Sequence, residues 1–181
     1  MLIDTIATLD YWMILPLFLV GSLLHFSYDW SKHNKYVAIF SAVNESYWEH
    51  IKIAFWPVLL LAVVEFMLGG YDPLSFIPAK TIALYSIPVS MIALVFAYKH
   101  FSKRNILSLD IFAFCLSIAL AQIISALMLT QLEANVWTAV LSVPFLIALI
   151  VSFALFTLRP PKEPDFFKDP ITQDYGLNAH K

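Results

Sequence analysis

The chain has 181 residues, of which 60% are hydrophobic and only 13% charged, with a mean hydropathy of +0.76. Soluble domains carry about a quarter charged residues, so a soluble globular domain is excluded, and a net charge of −2 leaves no basic footprint for nucleic acid. The single cysteine, Cys115, rules out an intrachain disulfide and argues against a thiolate metal site.

Met1 to Asp10 contain no Lys or Arg, whereas a signal peptide opens with a basic region. The first apolar run is therefore expected to stay as an anchor. Five runs are long enough to cross about 30 Å of hydrocarbon, which takes roughly 20 helical residues. They cover about residues 11–28, 50–68, 76–98, 106–129 and 136–158. In lipid every backbone N–H and C=O needs an internal partner, and a helix supplies it within one segment. Barrel strands would alternate in polarity, and these runs are apolar on all sides. The expected fold is an all-α bundle of five transmembrane helices. Pro57, Pro88 and Pro144 fall inside spans two, three and five and should bend them. With only four glycines, repeated small-xxx-small seams are not expected to hold the bundle.

Residues 36–43, between spans one and two, are apolar but too short to span, so an interfacial or re-entrant segment is expected. After span five, Arg159-Pro160-Pro161 stops the helix and begins a Pro-rich tail, residues 159–181. Within it Phe166 and Phe167 offer an aromatic anchor. Ten of the eleven basic residues fall at one end of the spans: Lys32, Lys35, Lys52, Lys99, Lys103, Arg104 and the four of the tail side, Arg159, Lys162, Lys168 and Lys181. Only Lys80 falls at the other. The positive-inside rule makes the basic end cytoplasmic, with the N-terminus outside. Asp4, Asp10, Asp72 and Glu133 are then outside.

Polar residues gather at the cytoplasmic ends of spans one, two and four. His25 and Asp29 are four apart and share a helix face. Glu45, Glu49 and Lys52 recur at helical spacing, and His50 points about a quarter-turn from Glu49. Asp110 falls about one turn into span four. Ionisable groups at this depth face the interior or a water-filled cavity and mark ion, proton or substrate paths. His25, Asp29, Glu45, Glu49, His50 and Asp110 are therefore the candidate proton or metal cluster, and imidazole with carboxylate suits a divalent metal ion. Against this, Asn44 is a good N-cap, Glu45 suits a first helical turn, and Glu49 with Lys52 is an ordinary ion pair. Trp48 reads as an interfacial belt residue. Glu65 can snorkel or meet Lys80, and Gln122 with Ser125 suits interhelical hydrogen bonding. No HExxH, GxSxG, P-loop or CxxC motif occurs.

The run Asn44-Glu45-Ser46-Tyr47-Trp48-Glu49-His50-Ile51-Lys52, preceded by His25 and Tyr28-Asp29-Trp30, resembles a family of small uncharacterised prokaryotic membrane proteins with an Asn-Glu-Ser-x-Trp-Glu-His-x-Lys signature. The tail residues Phe167-Lys168-Asp169-Pro170 and Tyr175-Gly176 are similar to theirs. The resemblance implies a prokaryotic cytoplasmic membrane and adds weight to Asn44, Glu45, Trp48, Glu49 and His50, but implies no activity. A looser likeness of Asp29-Trp30-Ser31 and Asn34-Lys35-Tyr36 to alkaline ceramidases is set aside, because this chain has five spans rather than seven and no late His-x-x-x-His pair. Three readings follow. One is a cation-binding pocket serving transport, in a homo-oligomer. The second is a metal-dependent or acid/base enzyme acting on a lipid-like substrate. The third is a non-catalytic subunit whose tail docks a cytosolic partner.

Overall fold

The structure is a computed structural model that describes residues 2–69, 72–102 and 104–180. Lys103 and Lys181, counted in the charge asymmetry, lie outside these residues. The chain is all-helical. Its long helices are α1 (Leu2–Trp30), α2 (Tyr47–Leu68), α3 (Pro73–Ser102), α4 (Leu107–Gln131) and α5 (Val136–Leu158), and each is long and apolar enough to cross a membrane.

The fifth helix has the bounds expected from hydropathy. The first begins nine residues before the expected start. Ile6 is buried with Phe76 and Ala79 of α3 and Leu129 of α4, so the early turns of α1 have a packed face. At 29 residues α1 is about 43 Å long. A bilayer core is about 30 Å thick, so α1 must tilt or project beyond it. Two further helix prolines join the three expected, Pro16 in α1 and Pro78 in α3.

α4 packs against α3 and α1, and α3 also meets α5. Phe55, Leu84, Ile87, Met91, Ile118 and Phe153 form the apolar centre. One close approach fixes how α1 meets α2. A Cβ at Gly21 would lie 2.8 Å from the Ile53 carbonyl oxygen and 2.8 Å from the Phe114 ring. Only a residue without a side chain lets the backbones come this near.

Residues 36–43 form one 3-10 turn, Val37–Ile39, that docks against the bundle. Ala38 and Val43 are buried with Tyr28. The carbonyls of Ala38 and Ile39 accept from Lys52 Nζ (2.7 Å) and Trp56 Nε1 (2.8 Å). Ser41 enters the α1 ladder: its hydroxyl accepts from Tyr28 N (2.8 Å) and donates to the Leu24 carbonyl (2.5 Å). An unbroken helix would pair those two groups with each other.

The segment after α5 folds back over the same end of the bundle. It contains two 3-10 turns, Asp165–Phe167 and Gly176–His180, and an antiparallel bridge between Lys168 and Tyr175. Trp48 is buried here, against Phe153 (4.8 Å between centroids), Phe156 (5.4 Å) and Phe167 (5.0 Å). It therefore does not sit in a lipid-facing belt. Its partners come from α5 and the tail.

Candidate metal centre

The run of residues 44–52 splits into two sets of side chains that meet different partners. α2 starts at Tyr47, so Asn44 and Glu45 precede the helix. Asn44 Oδ1 accepts from Ser46 N at 2.8 Å, an Asx turn that leads the chain into α2. Ser46, not Asn44, is the N-cap, and it caps with extended backbone and no side-chain bond. The Asn44 amide is instead used across the molecule, donating to the Gly176 carbonyl at 3.0 Å.

Glu49 and Lys52 turn inward together. Lys52 Nζ lies 2.5 Å from Glu49 Oε2, 2.7 Å from the Ala38 carbonyl and 2.8 Å from Thr157 Oγ1. These three partners match the three protons of an ammonium. Glu49 Oε2 also accepts from Val43 N at 3.0 Å. The pair ties α2, α5 and the connecting segment together and takes Glu49 out of the candidate cluster. A pair this deep is strongly destabilising to break, because either half alone would be an uncompensated charge.

His50 is about 100° round the helix from Glu49 and faces different neighbours. There it meets His25 of α1, with rings stacked at 5.4 Å and 25°. Glu45 reaches between them. His25 Nε2 is 3.5 Å from Glu45 Oε1, and His50 Nε2 is 3.5 Å from Glu45 Oε2. The three residues can each offer one ligand atom, all within 4.8 Å of one another. His25, followed by His50, holds the Glu45 carboxyl well below the usual carboxylate range. His50 Nδ1 is buried and has no hydrogen-bond partner among the described residues, so the second-shell bond that commonly orients a metal-bound imidazole is not among its contacts.

These spacings bear on what the group suits, with each imidazole facing a different oxygen of the Glu45 carboxylate. A separation of 3.5 Å is long for a good hydrogen bond. Two ligand atoms about 2.05 Å from one tetrahedral ion lie about 3.3 Å apart. Two imidazoles and a carboxylate are also the three-ligand set that leaves a fourth position open.

Asp29 and Asp110 are placed differently. Asp29 is exposed and pairs with His33 at 3.3 Å, because the chain reverses through Lys32 and His33 at positive φ and brings the second imidazole back. Asp110 does share a pocket with His25, Glu45 and His50. Its carboxylate accepts from the Tyr98 hydroxyl, which lies 3.1 Å from the Tyr47 hydroxyl, itself 3.0 Å from Asn105 Oδ1. The pocket is about 570 Å³ and opens between α1, α2, α4 and the tail. Its deeper wall is apolar, with Phe18, Ile53 and Phe114. Pro170 and Ile171 of the tail lie over it.

The family model described as a family of unknown function, DUF6512, matches residues 1–177. The chain belongs to that family. No curated protein and no solved structure matches the chain significantly. The chemistry of this DUF6512 member must therefore be read from its own side chains.

Sequence reasoning named Asp169 in the tail but gave it no role at the site. Its carboxylate accepts from Glu45 N (3.0 Å), Ile171 N (2.6 Å) and Thr172 N (2.9 Å). It fixes the peptide that presents the central acid. An Asp-Pro pair marks a turn in sequence, but nothing local indicates which strand of chain the turn will hold. At the opposite end of the bundle Glu65 and Lys80 meet at 2.5 Å. Asp10 completes that group, with Lys80 at 2.9 Å, Gln122 Nε2 at 3.0 Å and Ser125 Oγ at 2.7 Å. Asp10 was expected outside, ahead of the first span, and is instead buried inside α1. Glu65 and Gln122 thus belong to a separate ion-paired cluster and not to the pocket.

Proposed function

We propose that His25, Glu45 and His50 hold a divalent metal ion, with zinc the best match, and that the ion serves a reaction at the head of the pocket. The observation that carries this reading is the placement of both imidazole nitrogens at 3.5 Å from one carboxylate. Three protein ligands leave a position for water or substrate, where a metal lowers the pKa of water and polarises a carbonyl. Asp110, on the same wall, supplies a base, and its hydrogen bond from Tyr98 fixes its direction.

Catalysis is favoured over transport by what lies beyond the pocket. A transport route would need polar groups leading onward. The next polar cluster, Asp10, Glu65, Lys80, Gln122 and Ser125, is closed on itself, and the apolar centre around Phe55, Ile87 and Ile118 lies between. The tail spends its aromatic face on Trp48, which weighs against a cytosolic partner docking through Phe166 or Phe167. We place the pocket at the cytoplasmic side of the membrane, on the strength of the basic residues at that end.

The test is metal analysis of the purified protein in lipid nanodiscs. Close to one zinc or other divalent ion per chain is expected after equilibration and washing. His25→Ala, Glu45→Gln and His50→Ala should each lose it while retaining helicity. A wild-type protein that takes up no ion, or a Glu45→Gln variant that holds it as well as the wild type, overturns the proposal.

A further inference from the structure

We infer that the pocket takes a single-chain amphiphile whose headgroup is neutral or cationic. This names the substrate class of the site proposed above and rests on that reading for its chemistry, but its own support is the shape and charge of the walls. At about 570 Å³ the pocket lies within the range of about 300–1,000 Å³ typical of small-ligand sites. That accommodates one drug-sized molecule. Its polarity runs in one direction. His25, Glu45, His50 and Asp110 stand at the head, and Phe18, Ile53 and Phe114 line the deeper part. A ligand filling both regions needs a polar end and an apolar end.

The rim shows how such a ligand enters. Phe26 of α1 and Leu107 and Ile111 of α4 line the pocket and are themselves exposed on the flank of the bundle. The passage between α1 and α4 is therefore bounded by apolar side chains where those helices meet lipid. A chain already lying in the bilayer can slide in without crossing water.

Charge selects the headgroup. No Lys or Arg lines this pocket among the described residues, while Glu45 and Asp110 both do. Lys52 is turned into the interior and neutralised by Glu49. Lys99 lies over the Tyr47 ring, 4.3 Å from its centroid, and lines a separate smaller pocket. In the metal-free pocket, the state tested in EDTA below, a phosphate or carboxylate headgroup would face two acids, and the His25 and His50 imidazoles are already engaged by Glu45. An amine or hydroxyl headgroup finds an acceptor on Asp110 whether or not Glu45 is committed to an ion.

The experiment uses the full-length protein in zwitterionic nanodiscs and three photoactivatable C16 probes that differ only in the headgroup: amine, alcohol and carboxylate. Crosslinks are located by mass spectrometry, once in EDTA and once with zinc. In EDTA the amine and alcohol should label the segments around Phe18, Ile53 and Phe114 at least tenfold more than the carboxylate does. Asp110→Asn should weaken labelling by the amine more than labelling by the alcohol. Ser22→Trp, which fills the pocket from α1, should abolish this labelling, whereas Leu60→Trp on the lipid-facing side of α2 should leave it unchanged. Equal labelling by the carboxylate overturns the inference. So does labelling spread over lipid-facing residues without enrichment at the pocket. Selective labelling in a protein that holds no metal would remove the metal proposal and keep this one; metal binding without selective labelling would do the reverse.

Discussion

The carboxylate of Asp169, in the tail, accepts the backbone N–H of Glu45 at 3.0 Å. Glu45 sits in a bend ahead of α2, where nothing helical fixes its direction, so this bond and the Asn44–Gly176 bond set where the carboxylate points. Outer partners that orient metal ligands are worth about 10–100-fold in affinity. Asp169→Ala should therefore weaken zinc binding by about that factor and leave the far-ultraviolet circular dichroism unchanged. A zinc-chelator competition titration measures it. Unchanged affinity would mean that Glu45 is held without the tail.

Gly21 is the contact point of α1 with Ile53 and Phe114. Replacing it with Val inserts atoms where 2.8 Å is already too close, and overpacking of this kind costs about 1–3 kcal/mol. The same substitution moves His25, one turn further along α1, away from His50. Gly21→Val should lower the thermal midpoint in nanodiscs and reduce metal affinity together. Loss of affinity with an unchanged midpoint would contradict the packing argument.

Among the described residues Lys80 is the one cation that pairs with both buried carboxylates, Asp10 and Glu65. Removing it leaves them facing each other in a low-dielectric interior, where breaking such a group costs about 3–5 kcal/mol. Lys80→Met should destabilise the bundle by about this much, and Lys80→Met with Asp10→Asn and Glu65→Gln should recover a large part of it. Metal binding at the opposite end should be unaffected in the triple variant. Thermal unfolding followed by fluorescence, with zinc titration alongside, separates the two effects.

Acidification should release the metal through the imidazoles and not through the acid. Glu45 is held ionised below its ordinary value of 4.5 by His25 and His50. A depressed carboxyl contributes stability that is present above the unfolded value and lost as pH falls below it, so Glu45 is not the group that changes between pH 5 and 8. Imidazoles must be neutral to bind a metal. Zinc affinity should thus fall with pH, by up to about a hundredfold per unit once both imidazoles take a proton. Zinc titrations at pH 5, 6, 7 and 8 check this, and a flat profile would exclude a two-histidine site.

The five helices were legible because hydropathy acts segment by segment, and Val136–Leu158 needed no tertiary information at all. The start of α1 was not legible. Asp4 and Asp10 interrupt the apolar pattern there, and Asp10 is tolerated in the interior because Lys80, 70 residues on, meets it together with Gln122 and Ser125. The candidate site was half legible. Helical spacing put Glu45, Glu49 and Lys52 on one face, but α2 begins at Tyr47 and leaves Glu45 outside the helix. Glu49 then goes to Lys52 and Glu45 to the histidines. A periodicity argument cannot separate two acids when one of them lies before the helix starts. His50 was readable for the opposite reason: it lies inside the helix, and its angle from Glu49 follows from geometry alone.

The bonds from Asp169 and Gly176 also impose an order on biogenesis. Glu45 leaves the ribosome some 124 residues ahead of the aspartate that will steady it. All five membrane segments can be inserted while that loop is still untethered. A chain arrested just after Leu158 would thus be a properly embedded protein with an unfinished centre, harmless with respect to the reaction it would later perform.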